Sequence, residues 1–211
     1  MGTPKKVVAL SAGLSQPSST RLLADRLTEA AVGDLAARGT EVEVTVIELR
    51  DLAHDITNNL LTGFPSAKLQ EAVDAVTAAD GLIAVTPIFT ASYSGLFKSF
   101  FDVVDNTAIT GLPVLIAATG GTPRHSLALD HAVRPLFSYL RAPVLPTSVF
   151  AAAEDWGSGT AGDGFATLPD RIRRAAGELA DAVAVSTRSS DVRDPFALAA
   201  GFSPVGGYGA Q

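Results

Sequence analysis

Apolar residues along this chain fall into two alternating rhythms. Short apolar runs bounded by Gly, Asp or Pro predict strands at Lys6–Ser11, Glu41–Leu49, Leu82–Thr86, Val114–Thr119 and Val144–Ala151. Between them, apolar positions recurring every three or four residues predict helices. The first starts near Thr20, keeps Leu23, Leu27, Ala31 and Leu35 in step, and stops at Gly39, read as a C-terminal cap. A second runs from about Ser66 to Ala79 with Leu69, Val73 and Val76 on one face, and Glu71 sits early in it, as the helix dipole favours. The third restarts at Ser94–Gly95 and carries Leu96, Phe97, Phe100, Phe101 and Val104. A fourth, Ser126–Leu140, must kink or break at Pro135, and a fifth spans Leu168–Val185. Strand and helix alternating over short connections predict a doubly wound α/β fold: a five-stranded parallel sheet with helices on both faces.

The strands differ in kind. The first, third and fourth are continuous apolar runs, as central parallel strands are. The second alternates Val42, Val44 and Val46 with Glu43, Thr45 and Ile47, so it belongs toward a sheet edge. Residues Ala53–Pro65 show no periodicity and read as a long loop. Neither a repeat nor a linker interrupts residues 1–186, which read as one domain. The tail 187–211, ending FSPVGGYGAQ, is rich in Gly and Pro and is expected to be irregular, or ordered only against a partner subunit. Phe97, Phe100 and Phe101 exceed what one core stripe needs, so part of that surface is expected to meet another subunit.

Composition narrows the function. With 211 residues, 47% of them hydrophobic and 18% charged, the chain can bury a sizeable core. A net charge of -6 argues against a general attraction to nucleic acid or anionic membrane. The chain has no cysteine, which removes disulfides, thiolate metal sites and cysteine nucleophiles. His54 and His131 have no partners at metal-ligand spacing, so no metal site is expected. The N-terminal MGTPKKVVALSAG has too short an apolar run for a signal peptide, and no stretch is long enough to span a membrane. A cytoplasmic location is the expectation.

Chemistry gathers at three strand ends. After the first strand, AGLSQPSST places Ser15, Ser18, Ser19 and Thr20 at a helix N-terminus, where free N–H groups, the helix dipole and hydroxyls suit a phosphate. The plainer reading is that Ser18, Ser19 or Thr20 simply caps the helix. GxGxxG and GK[ST] are both missing, which removes the dinucleotide fingerprint and the P-loop; Glu48, at the place of a ribose-binding acid, is discounted on that ground. The third strand breaks at Thr86–Pro87 into a loop of small, hydroxylated and aromatic residues, Pro87–Ser94. At the fourth strand's end, Thr119–Gly120–Gly121–Thr122–Pro123 is a small-residue loop whose glycines admit close backbone approach, or an ordinary tight turn. In a doubly wound sheet these three ends share one crevice. Glu154–Asp155–Trp156–Gly157 stands either near that crevice or at a partner subunit.

The segments SxGLSxPSST, TPIFxASYSGLFKxFxD and ATGGTPRHSLALDHAxRPLF, following the first, third and fourth strands, resemble the NAD(P)H-dependent FMN reductases. These are flavodoxin-like proteins that include the suppliers of reduced flavin to two-component monooxygenases. The likeness runs from Lys6 to about Trp156. It implies that Ser11, Ser18, Ser19 and Thr20 hold the FMN phosphate. Pro87, Ile88, Phe89 and Thr90 would border the isoalloxazine, with Ser94 in the same set, and Thr119, Gly120 and Gly121 its opposite side. Phe89 stands where many relatives have Tyr, so that hydroxyl is missing here. Arg124 and His125 would meet the phosphates of NADPH or NADH, or merely begin the fourth helix. Hydride transfer to a flavin needs no protein nucleophile, in keeping with a site poor in titratable groups. The resemblance further implies a homodimer or homotetramer and a flavin-dependent monooxygenase as the consumer. The alternatives are an FMN-bound quinone, azo or metal-oxyanion reductase and a non-enzymatic flavodoxin-type electron carrier.

Overall fold

In a computed structural model of the chain, residues 3–157 and 166–188 are described. Five strands, β1 (Lys5–Ser11), β2 (Val42–Glu48), β3 (Gly81–Phe89), β5 (Val114–Gly120) and β6 (Val149–Ala152), form a parallel sheet in the order β2-β1-β3-β5-β6. A two-residue strand, β4 (Ser92–Tyr93), folds back antiparallel on the end of β3. The chain runs from β1 out to β2 and then back past β1 to β3. This reversal is the topological switch point of a flavodoxin-like sheet, at which a crevice opens.

Alternation of side chains along the central strands makes both faces apolar. Val7 and Ala9 of β1, Ile83 and Val85 of β3, and Leu115 and Ala117 of β5 face α1 (Ser19–Ala37) and α6 (Leu168–Val185). Val8, Leu10, Leu82, Ala84, Ile116 and Ala118 point the other way, into a core shared with α3 (Ala67–Thr77), α4 (Gly95–Val103) and α5 (Arg134–Tyr139). As its mixed pattern predicts, β2 is an edge strand, with Val44 and Val46 exposed. Gly39, at φ +72°, supplies the left-handed residue after α1.

Three expectations need correction. Residues 53–65 are mostly helix: a 3-10 turn at Leu49–Leu52 runs into α2 (Ala53–Thr62), which ends at Gly63 in the left-handed region. Only Ile56 of that helix is buried, so it shows no apolar stripe to read. The third strand continues past Thr86 to Phe89, because β5 pairs with it as far as Pro87↔Thr119 and β4 beyond that. The last strand is short, and Val144 makes only an isolated bridge to Val114. The fourth helix, as Pro135 requires, is broken: a 3-10 turn (Pro123–His125) and a π-helical turn (Leu129–Val133) precede α5. Pro135 lacks an N–H, so the ladder cannot continue in α register past His131, and the widened turn absorbs that break.

The phenylalanines also differ from expectation. Phe97, Phe100 and Phe101 are all buried and pack edge-on with one another and with Phe137 of α5. They form core, so they present no surface to a second subunit. At the far pole of the sheet, the Arg188 guanidinium donates to the carbonyls of Thr77, Ala79, Ala108 and Thr110, anchoring the chain just after α6. Burial lowers the Arg188 pKa below the ordinary arginine value, partly offset by Asp80. The rest of the tail lies outside the described residues.

Candidate flavin cleft

Three strand-end loops do converge. A cleft of about 500 Å³ is lined by Gly13, Leu14, Ser15, Ser19 and Thr20 after β1, by Pro87–Phe89 of β3, and by Thr119–Gly121 of β5. Ala153 and Trp156, from the turn after β6, complete it. A larger concavity of about 740 Å³ lies at Pro4, Val32 and Gly39–Glu43, at the opposite end of β1 and β2. It collects no hydroxyl array or glycine loop, so we place the chemistry in the smaller cleft.

The loop after β1 is built from the inside outward. Ser11 is buried beneath it, its Oγ 3.5 Å from the Gly13 N–H. Ser18 caps α1, accepting from the Arg21 N–H at 3.2 Å. A Cβ on Gly13 would fall 2.1 Å from the Ser18 Oγ and 3.0 Å from the Thr20 Cβ, so no larger residue fits there. Ser18 is thus the cap, while Ser19 and Thr20 face the cleft. The Thr20 and Thr119 hydroxyls lie 2.8 Å apart, joining the first loop to the end of β5. From outside, Arg50 donates to the Ser15 carbonyl at 3.0 Å. Glu48 pairs with Arg21 at 2.6 Å and Arg50 at 2.8 Å. Its carboxylate therefore braces the loop through two arginines.

The middle wall is a hairpin tip. Phe89 pairs with Ser92, and Thr90 and Ala91 between them adopt φ of 48° and 68°. Two consecutive left-handed residues match the twist of a tight hairpin, but a β-branched Thr there is strained. Thr90 lies at the exposed tip and Ser94 is buried, and neither lines the cleft. Ser94 caps α4 through the Phe97 N–H at 3.1 Å, and its own N–H donates to the Thr86 Oγ1 at 3.0 Å. The floor is Gly120 and Gly121. A Cβ on Gly120 would stand 2.7 Å from Phe150 Cζ, so glycine is required there as well.

Of the residues singled out from sequence, Ser19, Thr20, Pro87, Ile88, Phe89, Thr119, Gly120 and Gly121 come together. Ser11, Ser18 and Ser94 stand behind the lining as supports. Arg124 and His125 occupy an exposed 3-10 turn beyond Gly121, with no hydrogen bond or ion pair to the described residues. Leu14, Ala153 and Trp156 were not placed in the cleft by sequence. Only the short EDWG motif after the last strand hinted at Trp156. Among the described residues, no titratable side chain lines the cleft. Among the described residues there is no group of three or more metal-ligating carboxylates and histidines, and no helix long and apolar enough to cross a membrane.

A hydroxyl-rich, glycine-relieved helix N-terminus, two aromatics and a Gly–Gly floor define a flavodoxin-like protein whose cleft fits a phosphorylated planar cofactor. Residues 5–157 match the family model of the NADPH-dependent FMN reductases, and the chain belongs to that family of oxidoreductases. It is 42% identical over 156 residues to an FMN reductase (NADPH) from Pseudomonas aeruginosa, covering 74% of this chain and 81% of that one. Identity to the NADH-dependent FMN reductase SfnF of Pseudomonas fluorescens is 41% over 156 residues, with the same coverage, 74% and 81%. The crystal structure of an oxidoreductase from Corynebacterium diphtheriae superposes with a TM-score of 0.81 at 49% identity, over 87% of this chain and 98% of that one.

Proposed function

We propose that the cleft binds FMN with its phosphate on Ser19, Thr20 and the loop from Gly13, and its ring over Thr119–Gly121 beside Phe89. The observation that carries this reading is the convergence of three strand-end loops on a cleft whose described lining residues include no titratable side chain. Bound flavin supplies the hydride acceptor for NADH or NADPH, so the protein's part is to bind, orient and exclude water. Thr20 and Thr119, hydrogen-bonded to each other, hold the phosphate end and the ring end of the cleft in fixed relation. Arg124 and His125, exposed just past the floor, are assigned to the phosphates of the nicotinamide nucleotide. Relatives that use NADPH and relatives that use NADH match almost equally, so the proposal covers both donors.

Reduced FMN released to a flavin-dependent monooxygenase in the cytoplasm completes the reading. A homodimer or homotetramer belongs to it as well, supported by the exposed Leu60, Leu61 and Phe64 around the end of α2.

Anaerobic mixing with excess FMN and NADH or NADPH tests the activity. Continuous bleaching of free FMN is expected. Reduction of only one equivalent of bound flavin would instead mark an enzyme that keeps its cofactor and reduces another acceptor.

Placement of the phosphate has its own test in Ser19→Asp. The new carboxylate stands at the lining beside the phosphate, and a unit charge roughly 5 Å from a dianion weakens binding about tenfold even under water-like screening. FMN affinity should fall by that factor while riboflavin, which has no phosphate, binds as before. Equal losses for both would place the phosphate elsewhere. Ser18 is the poorer position for this test, because Asp is itself a good N-cap.

A further inference from the structure

The turn after β6 is locked in place with more care than a surface loop requires. Asp155 accepts from the Ala152 N–H at 2.7 Å and closes the 3-10 turn Ala153–Trp156 on itself. Arg171 of α6 donates to the Asp155 carboxylate and to the Phe150 carbonyl, pinning the turn to the helix behind it. The outcome of this bracing is the position of one side chain. Trp156, the only tryptophan in the chain, packs its partly buried indole against the α1 and α6 core and lines the cleft. The guanidinium of Arg26 on α1 lies 5.1 Å from the ring centroid, a cation–π contact that fixes the ring from outside.

Strand order sets what the indole does. β5 runs between β3 and β6, so the Thr119–Gly121 floor has Phe89 on one side and the Trp156 turn on the other. Phe89 is 46% exposed while lining the cleft, so its ring is open to contact with a ligand there. Two aromatic side chains lining the cleft on either side of a small-residue floor make a slot for a flat ring. Glycines below let the ring approach, and rings at the sides give dispersion and stacking without fixed charge.

We propose that Trp156 is the second aromatic wall of the flavin site, contacting the bound ring system, and that Arg26 is a positioning residue acting through the indole. This rests on the flavin reading above. The slot's grip on the flavin, and so the ease with which FMN exchanges, is set by the indole.

Purified wild type, Trp156→Ala, Trp156→Phe, Arg26→Ala and Arg26→Lys would be titrated with FMN, following the visible flavin spectrum, with thermal melts alongside. The wild type should bind FMN and perturb its spectrum. Trp156→Ala should bind about tenfold or more weakly, the order lost when an aromatic stacking platform is removed, with the spectral perturbation reduced. Trp156→Phe should restore most of the affinity. Arg26→Ala should lose a few-fold and Arg26→Lys recover it, since lysine keeps the cation over the ring. If the wild type takes up no FMN, the flavin reading itself fails. If the wild type binds but Trp156→Ala binds as tightly with the same spectrum, the flavin reading stands and the assignment of Trp156 is overturned. A loss in Trp156→Ala that Trp156→Phe does not restore, or that tracks a collapsed melt, also overturns it by showing that the indole acts only in packing.

Discussion

Gly13→Ala is expected to lower FMN affinity about tenfold, the scale of one lost hydrogen bond to a charged phosphate, roughly 1.5 kcal/mol. The added methyl would sit 2.1 Å from the Ser18 Oγ, 3.2 Å from the Ser18 Cβ and 3.0 Å from the Thr20 Cβ. Rotating the Ser18 hydroxyl away relieves the first contact but removes the cap on the Arg21 N–H, at about 1 kcal/mol. Rotation does not relieve the 3.0 and 3.2 Å contacts to the two Cβ atoms, so the loop from Gly13 to Ser18 must shift by a few tenths of an ångström. That shift disturbs Ser15, Ser19 and Thr20 at the cleft lining without breaking the 2.8 Å bond between Thr20 and Thr119. Riboflavin should lose much less than FMN, because the loop serves the phosphate. The melting temperature should fall only about 2–4 °C, as one lost cap implies in a chain of this size. An FMN affinity within twofold of wild type would mean the loop is not the phosphate seat.

That contrast between support and lining is where reading the sequence stopped short. Four hydroxyls ahead of α1 marked the loop, but which of them caps the helix depends on the packing of Ser18 against Gly13. The Thr20–Thr119 bond joins residues far apart in the chain, and no local pattern encodes it. Which strands are central, and the edge place of β2, were legible, since continuous apolar runs require burial on two sides and β2 has a mixed pattern. Helix α2 was not, because its sequence AHDITNNLLT buries only Ile56 and leaves Leu60 and Leu61 in solvent. Trp156 is held at the cleft in part by the Asp155–Arg171 bridge between the turn after β6 and the last helix. An ion pair of that kind follows from the fold and cannot be read before it.

The phenylalanine cluster gives the largest expected effect on stability. Phe97 is fully buried, with Phe101 at 5.0 Å, Phe137 at 6.2 Å and Tyr93 at 5.9 Å between ring centroids. Removing a buried phenyl ring costs about 3–5 kcal/mol, from lost transfer energy plus the cavity left behind. At about 2–4 °C per kcal/mol in a domain of this size, Phe97→Ala should melt roughly 10 °C below wild type. The cavity would open between α4 and α5 and under β4, where Tyr93 pairs with Ile88 of the cleft wall. A rise in FMN KM of a few-fold should therefore accompany the lower melt, measured well below the transition. Phe97→Leu should recover more than half of the lost stability by refilling most of the volume. Sedimentation should show the same assembly state for wild type and variant, because the ring is spent inside one chain. A changed assembly state with an unchanged melting temperature would instead place Phe97 at a contact between subunits.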